Sequence, residues 1–261
     1  MIAVMTAAPR AENVQARAIC SVIDAGFKLK ICAEPDTHGL FVIMLSESDL
    51  SRWTRRYLHR QGQWHNFLNA LLFGIRHGDQ HFITCEDDIL CTRHLAEAAH
   101  ALPWPSENCG VVQLYTSAGY RDYFTGLQKL REDDAMDMLG ACCLLWDRKA
   151  AIDVLKWGNE KGWRGDSHDT IDDPVEKKAA DTFVGEVLTH LGYEIWIHTP
   201  TLVEHIGTES SLGHKVTDPK LFDPKRRQGA DFPGEDADAR EVCSWWHSTK
   251  PSTVTSGSTQ A

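Results

Sequence analysis

The feature that most restricts this chain is an alternation: short apolar runs that end in polar or acidic turns, each followed by a stretch of helical period. A strand buried on both faces needs a continuous apolar run, whereas a covering helix needs only one apolar stripe. Ile2–Met5 reads as a first strand, closing in the turn Thr6-Ala7-Ala8-Pro9-Arg10. A helix over 12–25 follows, with Val14, Ala18, Ile19, Val22 and Ile23 on one face and Gly26 as its stop. Phe27–Cys32 and Leu40–Leu45 read as strands, and 64–76 as a helix striped by Trp64, Phe67, Leu68, Leu71, Leu72 and Ile75. His81–Cys85 is a strand that runs straight into Glu86-Asp87-Asp88. The pattern then predicts strands at Val111–Tyr115 and Gly140–Trp146, with an irregular stretch over 116–138 between them. Helices follow at Asp147–Trp157 and 179–191, separated by a loop over 158–178, and then short strands at Glu194–His198 and Leu202–Glu204. The expected fold class is α/β, a mixed and mostly parallel sheet flanked by helices.

Composition narrows the partners. The chain has 261 residues, 42% of them hydrophobic and 25% charged, enough apolar surface for a core over most of its length. One domain is expected over 1–243, with a Ser/Thr/Gly-rich disordered tail over 244–261. No apolar run approaches the ~18 residues of a membrane span. MIAVMTAAPR lacks the basic leader of a signal peptide. The eight cysteines contain no C-x-x-C pair, and reduced, mostly buried thiols in a cytoplasmic protein are expected. Lys plus Arg number 27 against 37 Asp plus Glu, a net charge of −10 that argues against a polyanionic partner. The sum hides a local exception, since Arg52, Arg55, Arg56 and Arg60 lie together without an acid, interleaved with Trp53 and Tyr57. That segment reads either as a nucleic-acid contact surface or as a solvated basic stretch whose aromatics belong to the core.

Glu86-Asp87-Asp88 sits where a buried strand ends, the end at which open α/β sheets bind ligands. Adjacent carboxylates repel unless a cation lies among them. The triplet therefore reads as a solvated acidic turn or as ligands for Mg²⁺ or Mn²⁺. His205, directly after a short apolar strand and beside Gly207, is a further ligand if the fold brings it near.

In chain order the motifs are T-x-x-P-R, a helix ending in A-G-F, and G-Q-x-x-N-F-x-x-A-L. Then come a strand with E-D-D, G-A-x-x-L, a helix opening with Asp, and T-P-x-L-V-x-H-I-G-x-x-S-S. This series resembles the nucleotide-sugar glycosyltransferases of the GT-A (Rossmann-like) fold, particularly small bacterial and phage members, over residues 1–214. The resemblance implies a metal-dependent, inverting transfer of a sugar from UDP-glucose or a similar donor to an acceptor hydroxyl. It implies Mn²⁺ or Mg²⁺ held by Asp88 and His205, with Glu86 in a position where many members carry Asp. Thr6, Pro9, Arg10, Gly62, Asn66, Glu86, Asp87, Gly140 and Ala141 match the donor-binding elements. Asp181 matches the general base, with Asp172 and Asp173 as fallbacks, although an Asp in a first helical turn is also favoured by the macrodipole alone.

Two acceptor classes compete. One is a hydroxymethylated pyrimidine in phage DNA, contacted through Arg52, Trp53, Arg55, Arg56, Tyr57 and Arg60; the other is a saccharide or lipid-linked glycan. Two further classes stand beside these: a nucleotidyltransferase, and a non-catalytic nucleotide- or DNA-binding protein.

Overall fold

The computed structural model describes residues 1–8, 14–33, 54–56, 62–120, 123–136, 138–160, 180–207 and 229–244. In chain order the elements begin with β1 (Ile2–Ala7), α1 (Val14–Asp24), β2 (Lys28–Ala33), β3 (Thr54–Arg56), α2 (Gly62–His77) and β4 (His81–Glu86). They continue with β5 (Ile89–Cys91), α3 (Leu95–Ala101), β6 (Cys109–Gln113), β7 (Gly126–Lys129), α4 (Glu132–Met136) and β8 (Cys143–Asp147). The last are α5 (Arg148–Glu160), α6 (Ala180–His190), β9 (Glu194–Thr199), β10 (Val203–His205) and α7 (Ala239–Val242).

Among the described residues eight strands form one sheet in the order β3-β2-β1-β4-β8-β6-β9-β7. Within it β8 and β7 run against their neighbours, and the other strands share one direction. The chain steps outward from β1 to β2 and β3, then returns through α2 to β4 on the other side of β1. That reversal leaves a crevice beyond the C-terminal ends of β1 and β4, where open α/β sheets bind their ligands.

The two-residue strand period shows why both faces are covered. Ala3, Met5, Ile83, Cys85, Cys143 and Leu145 point into one core with Ala18, Ile19 and Val22 of α1 and Leu95 of α3. Their alternates Ile2, Val4, Phe82, Leu144 and Trp146 point into the other with Phe67 and Leu71 of α2 and Phe183 and Val187 of α6. Trp146 remains buried because its Nε1 donates to Thr84 Oγ1 at 2.8 Å. A separate ribbon pairs β5 with β10, His205 opposite Ile89.

The expected strands and helices occur wherever they fall on described residues, with shifted ends. The strand expected from Gly140 begins at Cys143 instead, because Gly140 has φ +80° and gives its N–H to Asp181 rather than to the ladder. Helix α5 opens one residue late because Asp147 caps it, accepting from Ala150 N at 3.0 Å. The stretch expected to be irregular holds β7 and α4; among the described residues β7 lies at the sheet edge and pairs with β9 alone, so it needs no continuous apolar run. None of the eight cysteines is in a disulfide; seven are buried and Cys20 partly so. Among the described residues no helix is long and apolar enough to cross a membrane. The strand expected at Leu40–Leu45 and most of the tail and of the 158–178 loop lie outside the described residues, as do Pro9, Arg10, Asp172 and Asp173.

Candidate functional site

The crevice is built from strand ends. Strand β4 stops at Glu86, Asp87 and Asp88 turn, and β5 starts at Ile89. Asp87 and Asp88 are both 2% exposed, so the turn is not a solvated acidic loop. Asp87 faces β1: its Oδ2 accepts from Ala8 N at 3.0 Å and from the Gln15 side-chain amide, which also donates to Ala8 O. The carboxylate thus fixes the turn after β1 and spans the point where the strand order reverses. Thr6 Oγ1 donates to Cys85 O at 3.4 Å, and Asn66 Nδ2 to Ala7 O at 3.4 Å. Asn66 is buried, and its Oδ1 has no hydrogen-bond partner among the described residues.

Asp88 faces the ribbon. Its Oδ2 lies 2.9 Å from His205 Nε2, and its carbonyl accepts from Ile206 N at 2.8 Å. Pairing of β5 with β10 creates this contact between residues far apart in sequence. Glu86 ends β4 beside the start of β8, its N–H donating to Cys142 O at 2.9 Å. Glu86, Cys142 and His205 each offer a ligand atom, and the three atoms lie within 4.8 Å of one another. Burial, with Glu86 and Asp88 nearby, pushes the Cys142 thiol well above its ordinary range, so without a cation it is a neutral S–H donating to Glu86. Gly207 closes the cradle, since a Cβ there would stand 2.2 Å from Asp88 Oδ2. A carboxylate, an imidazole and a thiol with ligand atoms this close together fit a divalent cation.

Two residues before Cys142, Gly140 N donates to Asp181 Oδ2 at 2.8 Å, and Thr182 N to Asp181 Oδ1 at 2.9 Å. Burial raises the Asp181 pKa above the ordinary carboxylate value, and these two N–H groups offset part of the rise. The segment before β8 is itself pinned. Gln113 Nε2 donates to Leu139 O and Gly140 O at 3.1 and 2.9 Å, and Tyr120 OH donates to Gln113 Oε1 at 3.2 Å. Gly140 must be small, because a Cβ would lie 2.8 Å from the Tyr115 ring.

Of the residues expected from sequence, the crevice gathers Thr6, Asn66, Glu86, Asp87, Asp88, Gly140, Ala141, Asp181 and His205 around the ends of β1, β4, β8 and β10. Gly62 opens α2. Arg55 and Arg56 lie in β3, opposite Cys32 and Ala33, at the crevice end of β2. Arg52, Trp53, Tyr57 and Arg60 lie outside the described residues. Sequence reasoning passed over Gln15, Gln113 and Cys142. Cys142 lies two residues from Gly140 in the G-A-x-x-L element, the one signal that could have drawn it in.

No protein-family model and no curated protein matches the sequence. Solved structures do match. S. aureus TarS 1–349, in complex with UDP-GlcNAc, has a TM-score of 0.50 at 10% identity, over 85% of this chain and 63% of that one. The Pyrobaculum calidifontis mannosyltransferase PcManGT, in complex with GDP-Man and Mn²⁺, gives 0.43 at 14% identity, over 76% of this chain and 56% of that one. GalNAc-T7, with UDP, GalNAc and Mn²⁺, gives 0.48 at 12% identity, over 84% of this chain and 47% of that one. The chain spans less than two thirds of each of these structures, and at such identities the likeness concerns fold. With the strand order above and the TarS match, the chain has the GT-A glycosyltransferase fold.

Proposed function

We propose that the chain transfers a sugar from a UDP-sugar to an acceptor hydroxyl, with inversion, aided by Mn²⁺ or Mg²⁺. The observation that supports it best is the convergence of Glu86, Asp88 and His205 at the sheet's switch point, with Asp181 anchored beside them. Glu86 and His205 would hold the cation, together with Asp88 or with Asp88 orienting the imidazole. When bound, the cation supplies neutralising charge to the diphosphate as it leaves. Asp87 shapes the turn after β1 for the nucleotide, and Asn66 Nδ2 braces the same turn at Ala7 O.

Asp181 is the proposed base. Each of its oxygens already accepts one backbone N–H, which fixes the carboxylate plane while leaving lone pairs for an incoming hydroxyl. The acceptor's proton passes to that carboxylate as its oxygen bonds to the anomeric carbon, and the bond from carbon to diphosphate breaks. Asp181→Asn keeps the side chain's size and, through its one amide oxygen, one of the two backbone contacts, and it removes the basicity. Turnover is expected to fall by about 10²- to 10⁴-fold while calorimetric Mn²⁺ binding is unchanged. A fully active variant would make Asp181 a helix-capping carboxylate only.

For the acceptor, a hydroxymethylated pyrimidine in DNA is the reading we favour. Edge strand β3 puts the backbone of Arg55 and Arg56 at the crevice end of the sheet, three strands and about 14 Å from β4. The test is mass spectrometry after incubating hydroxymethylcytosine DNA, unmodified DNA and simple sugars with a panel of nucleotide sugars. One sugar gained by the modified DNA alone is the expected result; gain by the sugars alone moves the acceptor to the saccharide class. Pyrophosphate release would indicate a nucleotidyltransferase, and binding without transfer a non-catalytic protein. Arg55→Glu with Arg56→Glu is expected to weaken DNA transfer, more so at low salt, while sparing donor hydrolysis.

A further inference from the structure

We propose that Cys142 is itself a ligand of the cation, joining Glu86 and His205 in a sulfur, oxygen and nitrogen set that takes Zn²⁺ or Co²⁺ in preference to Mg²⁺. The inference rests on the reading that a divalent cation binds in this crevice. It goes beyond that reading by naming a thiolate ligand and the class of metal such a ligand selects.

Geometry carries the argument. Metal–ligand bonds of about 2.0–2.3 Å put two ligands of one ion at most about 4.6 Å apart. The three ligand atoms already lie within 4.8 Å of one another, so small side-chain rotations close the set. The backbone holds them there: Glu86 N bonds to Cys142 O at 2.9 Å, and Ile206 N bonds to Asp88 O at 2.8 Å beside His205. Asp88 Oδ2, 2.9 Å from His205 Nε2, stands as a carboxylate that orients a metal-bound imidazole. Three protein ligands also leave positions open, as a metal that must meet diphosphate oxygens requires.

Chemistry sets the preference. Thiolate and imidazole suit borderline-soft ions, whereas Mg²⁺ wants an octahedron of oxygens and gives up its water reluctantly. Coordination requires the thiolate, so the S–H proton leaves to solvent as the sulfur–metal bond forms, and no electrons are exchanged. Among the described residues Cys142 is the one cysteine in such a group.

The test titrates the full chain with Co²⁺ and follows the thiolate-to-cobalt charge-transfer absorption in the near ultraviolet. The band is expected in the wild type and in Cys143→Ser, and absent in Cys142→Ser. Zn²⁺ affinity, read by competition with a chromophoric chelator, should fall at least about tenfold in Cys142→Ser. If Cys142→Ser fails to fold by circular dichroism, X-ray absorption of the Zn²⁺-loaded wild type decides, through one sulfur scatterer at about 2.3 Å. Calorimetric Mn²⁺ binding without the cobalt band, or a zinc shell without sulfur, overturns the thiolate ligand and leaves the cation reading standing. Failure of Mn²⁺, Co²⁺ and Zn²⁺ alike to bind overturns both.

Discussion

Gly207 lies so near Asp88 that a Cβ there would stand 2.2 Å from Oδ2 and 3.0 Å from Cγ. Asp88 is buried and paired with His205, so it has nowhere to swing. Gly207→Ala is therefore expected to cost about 1–3 kcal/mol through overpacking and to weaken Mn²⁺ binding by displacing the carboxylate. Thermal melts and calorimetry check both; an unchanged variant would contradict the close approach. Asp181 makes a different prediction. Burial raises its pKa, and only the ionised form accepts a proton, so kcat/KM should decline as pH falls through a value above the ordinary ~3.9 of Asp. The acid limb of a pH–rate profile reads this directly, and it should vanish in the residual activity of Asp181→Asn. At this scale the acidic triplet was legible because its three carboxylates directly follow an apolar strand, the end at which open α/β sheets bind ligands. The partners Gln15 and Gln113 were not, since a glutamine has no sequence context that marks it, and Cys142 had only its place in the G-A-x-x-L element.

Helices α4 and α6 meet at Gly185, where a Cβ would lie 2.1 Å from Ala135 O and 2.8 Å from Met138 Cβ. Alanine in place of an interior helical glycine contributes about 1 kcal/mol of propensity, while a clash with backbone costs about 1–3 kcal/mol. The clash should win. Gly185→Ala is expected to lower the melting temperature, and because Met138 leads into Leu139 and Gly140, to loosen the Gly140–Asp181 contact and lower turnover too. A raised melting temperature would show that α4 yields freely. The helices α1, α2 and α6 were readable because each shows one apolar stripe. Strand β7 and helix α4 were not, because Gly126-Leu127-Gln128-Lys129 sits at a sheet edge and Glu132–Met136 spans a single turn.

Across the molecule, His198 ties β9 to the C-terminal α7 region. It is fully buried, bonded through Nδ1 to the Pro200 carbonyl, with Nε2 3.9 Å from Cys243 Sγ. Burial lowers its pKa to about 4 from the usual 6.5, so the folded state keeps it neutral while the unfolded chain protonates it. Between those values the unfolded state binds the extra proton; stability is intact above about 6.5 and is lost at roughly 1.4 kcal/mol per pH unit as pH falls toward 4. Urea melts from pH 7 to 4 should show that slope, and His198→Gln should flatten it. By itself the sequence determined the α/β class, most strand and helix positions and the acidic strand end, because these follow from local period and turn chemistry. It also held the order of motifs that resembles a GT-A glycosyltransferase. Tertiary structure decided which carboxylate does what: Asp87 turns to Ala8 and Gln15, Asp88 to His205, and Glu86 to Cys142. That division depends on pairing of β5 with β10 and of β4 with β8, contacts between residues far apart in the chain. No local pattern encodes such a meeting, because it is the whole sheet's register that brings the side chains together.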